Sequence, residues 1–153
     1  YPSAQAAFLL NHGLETLHLR MERHCQNAEQ VARLLQQHGK VESVNYPTLA
    51  ENPYHQLAQK YLSNGCSGVI SFSLTGGREA AVRFIDSLKL ASLVVHVADV
   101  RTLVLHPASS THRQLTDEQL VAAGVNPGLI RFSVGLENVE DILDDIRQSM
   151  EQV

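Results

Sequence analysis

The sequence predicts an α/β (α+β) sandwich: a small sheet whose strands alternate with helices that cover it. Three observations predict it. Apolar residues recur every three or four positions over the first 38 residues. Four short runs rich in Val, Ile, Leu, Phe and Thr are bounded by Pro or Gly. Capping and breaking residues separate these runs from further helical stretches.

The first ladder runs Ala7, Leu10, Leu14, Leu17, Met21, Cys25, Ala28, Val31 and Leu35, one stripe of a helix from about Ser3 to His38 that stops at Gly39. Such a helix is about 50 Å long. That exceeds what a small domain needs, so part of its apolar face is expected to lack a partner within the chain. Val41 to Tyr46 reads as a strand ended by Pro47, and Pro53 opens a helix through Leu62. Val69 to Leu74 alternates large apolar and small polar residues, the period-2 sign of a half-buried strand. Gly76-Gly77 turns into a helix whose inner face is Ala80, Ala81, Phe84, Ile85 and Leu88. Strands are expected over Ser92–Val97 and Thr102–His106, with Pro107 closing the second. Thr116 and Gln119 form a capping box for a short helix ended by Gly124. Leu129 to Val134 is the last strand. Asn138 caps a final helix that carries Glu140, Asp141, Asp144 and Asp145 in its N-terminal half, where the helix dipole favours anions, and Val139, Ile142 and Ile146 on its apolar face.

Composition narrows the function. Net charge is −4 with histidines neutral and the 12 basic residues are scattered, so no clustered basic face points to nucleic acid. No apolar run approaches the roughly 20 residues that span a bilayer. Two cysteines, Cys25 and Cys66, make no disulfide framework, and a reducing cytoplasmic setting is expected. Neither His-x-x-x-His nor Cys-x-x-Cys occurs, no phosphate-binding Gly loop is present, and no serine sits in a Gly-x-Ser-x-Gly turn; no metal site is expected. Tyr1 in place of an initiator methionine, with a helix starting almost at once, leads us to expect a piece of a longer protein.

The chemistry-bearing stretch lies between Leu105 and Gly135. His106-Pro-Ala-Ser-Ser-Thr-His112 is a hydroxyl-rich loop leaving a strand end, either a solvated turn or a surface presented to a ligand. Arg131 interrupts an otherwise apolar strand. It either points to solvent or holds an anion, since a guanidinium is planar, permanently charged and able to grip a carboxylate with two parallel hydrogen bonds.

Three strings in order, Gly13-Leu-Glu-Thr-Leu-His-Leu-Arg-Met-Glu-Arg-His24, His106–His112 and Leu129-Ile-Arg-Phe-Ser-Val-Gly-Leu-Glu137, resemble the C-terminal part of the Cys/Met-metabolism pyridoxal-phosphate-dependent enzymes. The resemblance implies the aspartate-aminotransferase-like fold (fold type I). A large N-terminal domain, absent from these residues, holds pyridoxal phosphate on a lysine. A smaller C-terminal α/β domain with a mostly antiparallel sheet follows a long helix. On this reading residues 1–40 are the interdomain helix and 41–153 the small domain. Cytoplasmic homotetramers are implied. So is a substrate-carboxylate pocket to which Arg131 contributes the gripping guanidinium and Thr111 a lining hydroxyl. A third pocket position falls on His96, where the family has serine or asparagine.

Within the family, Val97-Ala-Asp-Val-Arg-Thr-Leu103 and Gln114–Val125 resemble the O-acetylhomoserine sulfhydrylases, through Asp99 and Arg101. Ala98 departs from the usual glycine, and Ala4 and Ala6 from the usual proline and asparagine. The implied reaction makes homocysteine from O-acetylhomoserine and sulfide. The alternatives are a cystathionine γ-lyase, a methionine γ-lyase or a cystathionine γ-synthase of the same family, and, in another class, a free-standing binding or regulatory module. None of the three lysines, Lys40, Lys60 and Lys89, lies in the Ser/Thr-rich setting the family uses for its cofactor. The residues alone are therefore expected to bind no cofactor and to catalyse nothing.

Overall fold

A computed structural model describes residues 1–153. Its elements run α1 (Ala4–Glu15), α2 (Leu17–Gln37), β1 (Val41–Asn45), α3 (His55–Tyr61), β2 (Val69–Leu74), α4 (Gly77–Ser87), β3 (Ser92–Leu93), β4 (Leu103–Leu105), a 3-10 turn (Pro107–Ser109), α5 (Asp117–Ala122), β5 (Leu129–Ser133) and α6 (Val139–Met150). The five strands form one sheet in the order β1-β2-β5-β4-β3. All pairs are antiparallel except β3 with β4. This is the mixed α/β architecture with a mostly antiparallel sheet expected from the sequence.

Strand alternation sends successive side chains to opposite faces. Ile70, Phe72 and Leu74 of β2 and Ile130 and Phe132 of β5 face one side, where they are almost fully buried. There they meet Ala28, Val31 and Leu35 of α2, Ala80, Ala81 and Phe84 of α4, and Ile142, Ile146 and Met150 of α6 in one core. Phe72 touches Phe84 edge-on with ring centroids 5.8 Å apart. Each fully buried Val, Leu, Ile, Phe or Met side chain among them contributes roughly 1.5–3 kcal/mol by leaving water. No helix packs on the other face of β2 and β5 in this way, and Arg131 sits on it, opposite Ser71 and Leu105.

Two expectations need correction. The helix predicted from Ser3 to His38 is two helices, because Thr16 leaves helical geometry (φ −107°, ψ 7°). Arg20 secures the break: its Nε donates to Thr16 Oγ1 at 3.3 Å and its Nη2 to the Gly13 carbonyl. The shared stripe hid this, since a single non-helical residue shifts its phase too little to show in the spacing. As expected, the first part of the stripe has no partner within the chain: Leu10 and Leu14 are 65% and 60% exposed, whereas Val31 and Leu35 are fully buried.

The strand expected over Ser92–Val97 stops at Leu93. Val94 makes one further ladder bond, its N–H to Val104 O at 3.1 Å, and the chain then leaves the sheet. The carbonyls that follow are taken by Arg131 instead of by a strand. The caps predicted at Thr116 and Asn138 are both present: Thr116 Oγ1 accepts from Gln119 N, Gln119 Oε1 accepts from Thr116 N, and Asn138 accepts from Glu140 N.

Candidate functional site

The sheet face that carries Arg131 also carries the buried Ser73, Leu103 and Leu105, and two loops adjoin it, one between β3 and β4 (residues 94–102) and one after β4 (residues 106–116). Arg131 enters from the middle of β5 and is half-buried. Its Nη2 donates to the carbonyls of His96 at 3.0 Å and Val95 at 3.1 Å, with Val94 O at 3.5 Å. Its Nε is sealed from solvent and has no acceptor. Nη1 has no protein acceptor either, but is not sealed in the same way. A charged nitrogen donor without a partner in a half-buried setting is a ready anion-binding group.

The structure brings Arg131 and His96 together, through the backbone of His96. The His96 imidazole turns to Asp99, with Nε2 3.2 Å from Oδ2. Thr111 lies beyond the 3-10 turn, is exposed, and has its Oγ1 2.9 Å from His112 Nδ1; no hydrogen bond links it to Arg131. His106, the first residue of that loop motif, is an anchor: Nε2 donates to Pro127 O at 2.8 Å and Nδ1 faces Ser109 Oγ at 2.9 Å. Burial pushes its imidazole below the usual range and favours this neutral form.

Loop 94–102 is built from charge and strain that its sequence showed only in part. Asp99 Oδ1 accepts from Arg101 N at 3.0 Å and Nε at 3.2 Å, and Oδ2 from Arg101 Nη2 at 2.9 Å. The Arg101 guanidinium beside it holds the Asp99 carboxyl far below the usual carboxylate range. At the apex Ala98 has φ +68°, the left-handed region. A non-glycine residue there costs about 1–2 kcal/mol, which accounts for the glycine usual at this place in the resembled family. Ala98→Gly is therefore expected to stabilise the fold, by up to about 1 kcal/mol after glycine's own entropy is subtracted. Thermal unfolding checks this, and an unchanged or lower midpoint counts against strain at the apex.

At its far end the loop is clamped. Thr102 N and Oγ1 donate to the Glu137 carboxylate at 2.6 and 2.9 Å, Gly135 N donates to Thr102 Oγ1 at 2.9 Å, and Leu136 N to Val100 O at 2.8 Å. Asn27 of α2 donates from below to the carbonyls of Gly135 and Glu137 at 2.9 and 3.0 Å. Sequence reading missed Asn27, Asp99 and Glu137 as supports of the site; the one available signal was that Asp99 and Glu137 fall inside two of the strings compared.

A separate cavity of about 530 Å³ lies between α2, α3 and residues 62–66, lined by Cys25, Tyr46, Thr48, His55 and Cys66 among others; it includes none of Arg131, Thr111 or His96. No group of three or more His, Cys, Asp or Glu side chains is placed to hold a metal ion. No helix is long and apolar enough to cross a membrane.

Residues 1–151 match the family model for Cys/Met metabolism PLP-dependent enzymes. Among curated proteins, a homocysteine synthase of Schizosaccharomyces pombe is 50% identical over 94% of this chain and 34% of its own length. An O-acetyl-L-homoserine sulfhydrylase of Leptospira meyeri is 47% identical over 96% of this chain and 34% of its own. An L-methionine gamma-lyase of Fusobacterium nucleatum is 46% identical over 97% of this chain and 38% of its own. The chain thus spans about a third of the length of the curated relatives it matches. A crystal structure described as an O-acetylhomoserine (thiol)-lyase from Campylobacter jejuni, containing a pyridoxyl-lysine phosphate, superposes with a TM-score of 0.87 at 47% identity, over 96% of this chain and 35% of that one.

Proposed function

From the premise that this chain belongs to the Cys/Met metabolism PLP-dependent enzyme family, we propose that it is the C-terminal part of an O-acetylhomoserine sulfhydrylase. Residues 1–40 then connect to a cofactor-binding domain and 41–153 form the small domain. The whole protein is a cytoplasmic homotetramer that replaces the acetate of O-acetylhomoserine by sulfide to give homocysteine. Support comes from Asp99 and Arg101 in the β3–β4 loop and from the names of the Schizosaccharomyces and Leptospira relatives.

The cofactor's lysine does not fit any residue of this chain. Lys40 Nζ is held by the carbonyls of Met150 and Val153 at 2.8 and 2.7 Å, Lys60 Nζ lies 4.9 Å from the centre of the Tyr61 ring, and Lys89 is exposed where α4 ends. Pyridoxal phosphate is therefore assigned to the rest of the protein, where it supplies an electron sink. The contribution of this chain is to hold the amino acid. Arg131 binds the α-carboxylate through the nitrogen its backbone acceptors leave free, and Thr111 and His96 line the same pocket. The observation that carries the reading is this half-buried, incompletely paired guanidinium on the sheet face opposite the α2–α4–α6 core.

In the full-length enzyme, Arg131→Ala is expected to raise KM for O-acetylhomoserine on the order of 10- to 100-fold, the loss of a charge-assisted hydrogen bond. Cofactor absorbance should not change. A near-normal KM removes Arg131 from the pocket. A second reading, a methionine γ-lyase, is favoured by the 46% identity to the Fusobacterium protein. Supplying the full-length enzyme with O-acetylhomoserine and sulfide, or with methionine alone, separates the two: homocysteine in the first assay supports the sulfhydrylase, and thiol release in the second with none in the first supports the lyase.

A further inference from the structure

We propose that Asp99 is a positioning residue of the carboxylate pocket, acting on Arg131 through the backbone of loop 94–102. The inference rests on the reading of Arg131 as the carboxylate-binding group and adds to it the side chain that sets the guanidinium's direction.

Arg131 leaves a strand on a flexible stem with several rotatable bonds, so its head needs fixing before it can present one nitrogen to a ligand. The acceptors that fix it are the carbonyls of Val95 and His96. Those carbonyls belong to a segment that has left the sheet, so no ladder holds them in place. Something else must, and the contacts single out Asp99. Its carboxylate binds backward to the His96 imidazole and forward to three N–H groups of Arg101, so both arms of the loop converge on one group. The forward arm is tied to β5 beyond it by Val100 O and by the Glu137 clamp on Thr102. The backward arm ends on Arg131 itself. Asp99 therefore closes a ring from Arg131 to His96, Asp99, Arg101, Thr102 and back into the β5 chain.

Magnitudes argue that global stability is not what this arrangement supplies. The Asp99 side chain is 17% exposed, but its partners His96 and Arg101 are 54% and 67% exposed. Ion pairs with partners so open to water add little to folding. A weakly stabilising network can still hold a group within the fraction of an ångström that substrate alignment needs, since about 1 Å of misplacement can cost on the order of 100-fold in rate. Asp99 touches neither substrate nor cofactor in this proposal; Arg131 makes the contact.

The test uses the full-length, cofactor-loaded enzyme with Asp99→Ala, Asp99→Asn, Asp99→Glu, Arg131→Ala and the Asp99→Ala/Arg131→Ala double variant. Asp99→Ala is expected to raise KM for O-acetylhomoserine about 10-fold, the equivalent of one charge-assisted hydrogen bond. It should leave KM for sulfide and the unfolding midpoint unchanged, and Asp99→Glu should recover part of the loss. In the double variant KM should equal that of Arg131→Ala alone, because residues that act through one contact are not additive. An unchanged KM in Asp99→Ala, or a multiplied loss in the double variant, overturns the proposal while leaving Arg131 in the pocket. A normal KM in Arg131→Ala overturns both readings together. Should Asp99→Ala fail to fold, Asp99→Asn, which keeps the size and one acceptor, carries the same KM comparison; loss of stability in that variant too shows a merely structural role.

Discussion

Replacing Gly135 with alanine is expected to destabilise the protein by about 3 kcal/mol or more, a fall of roughly 6–12 °C in unfolding midpoint for a domain of this size. Gly135 lies where β5 turns towards α6, with the β3–β4 loop crossing directly over it. A Cβ there would stand 2.5 Å from both the carbonyl carbon of Arg101 and the amide nitrogen of Thr102, and would also strike the Glu137 carboxylate. The first two are backbone atoms and cannot swing away as a side-chain end would. Relief requires lifting residues 101–102, which breaks the bonds from Thr102 to Glu137 and from Gly135 N to Thr102 Oγ1. The carbonyls of Gly135 and Glu137, held from the other side by Asn27, would shift with them. Gly13→Ala is the control: nothing lies within 4 Å of its added Cβ, and the substitution fills an exposed helical position. Calorimetry on both variants decides the matter, and a Gly135→Ala midpoint close to the parent's means that the crossing is looser than these distances.

The same corner shows what could be read from the residues alone. Periodicity located every helix and strand to within a few residues wherever the element is held by the core. Ile130 and Phe132 belong to a strand because both ends of the 2-residue period meet buried partners, and Ala80, Ala81 and Phe84 to a helix for the same reason. Caps were legible too, because Thr116 with Gln119 satisfies its bonds locally. What failed was decided by contacts distant in sequence. Leu93, Val95 and Val97 alternate like a strand, yet Arg131, 35 positions on from His96, takes the carbonyls that a neighbouring strand would have used. Thr16 ends α1 within an unbroken apolar stripe, helped by the side chain of Arg20.

Site residues divide along the same line. Arg131 was visible as a charge inside an apolar run. Of the residues around it, His96 was reached only through the family resemblance, and the bracing role of Asp99 was not visible, because nothing in the local pattern distinguishes an aspartate that braces a loop from one that faces water. Asp145 is the plainest instance. It sits beside Asp144 in a helix, where all four acidic residues read alike, as anions in the half of the helix that its dipole favours. In the structure Asp144 is 71% exposed in its side chain and pairs with Arg147, while Asp145 is buried at 7%.

That burial makes Asp145 the second position of large expected effect. Its carboxylate accepts the backbone N–H groups of Lys89 at 2.7 Å, Leu90 at 3.0 Å and Ala91 at 3.0 Å, the residues that carry the chain from the end of α4 to β3. Three successive amides converging on one anion give bonds to a charged acceptor, each stronger than its neutral counterpart. Gln148 adds a fourth donor at 3.1 Å and also bonds Ser87 O, so α6 and the end of α4 are joined through this one group. Asp145→Ala removes the common acceptor of these donors and is expected to cost about 3 kcal/mol, water entering the polar groove lined by Lys89, Leu90, Asp141, Asp144 and Gln148 replacing part of what is lost. Asp145→Asn keeps one acceptor oxygen but turns an NH2 towards the amides, and should fall between that and the parent. Asp144→Ala removes only an exposed pair and should stay within about 1 kcal/mol of the parent. Hydrogen exchange gives the local readout: the amides of residues 89–91 are expected to be protected in the parent and in Asp144→Ala, and to exchange much faster in Asp145→Ala. Equal protection in all three would mean that solvent-independent packing of α4 on α6, rather than the carboxylate, holds this turn.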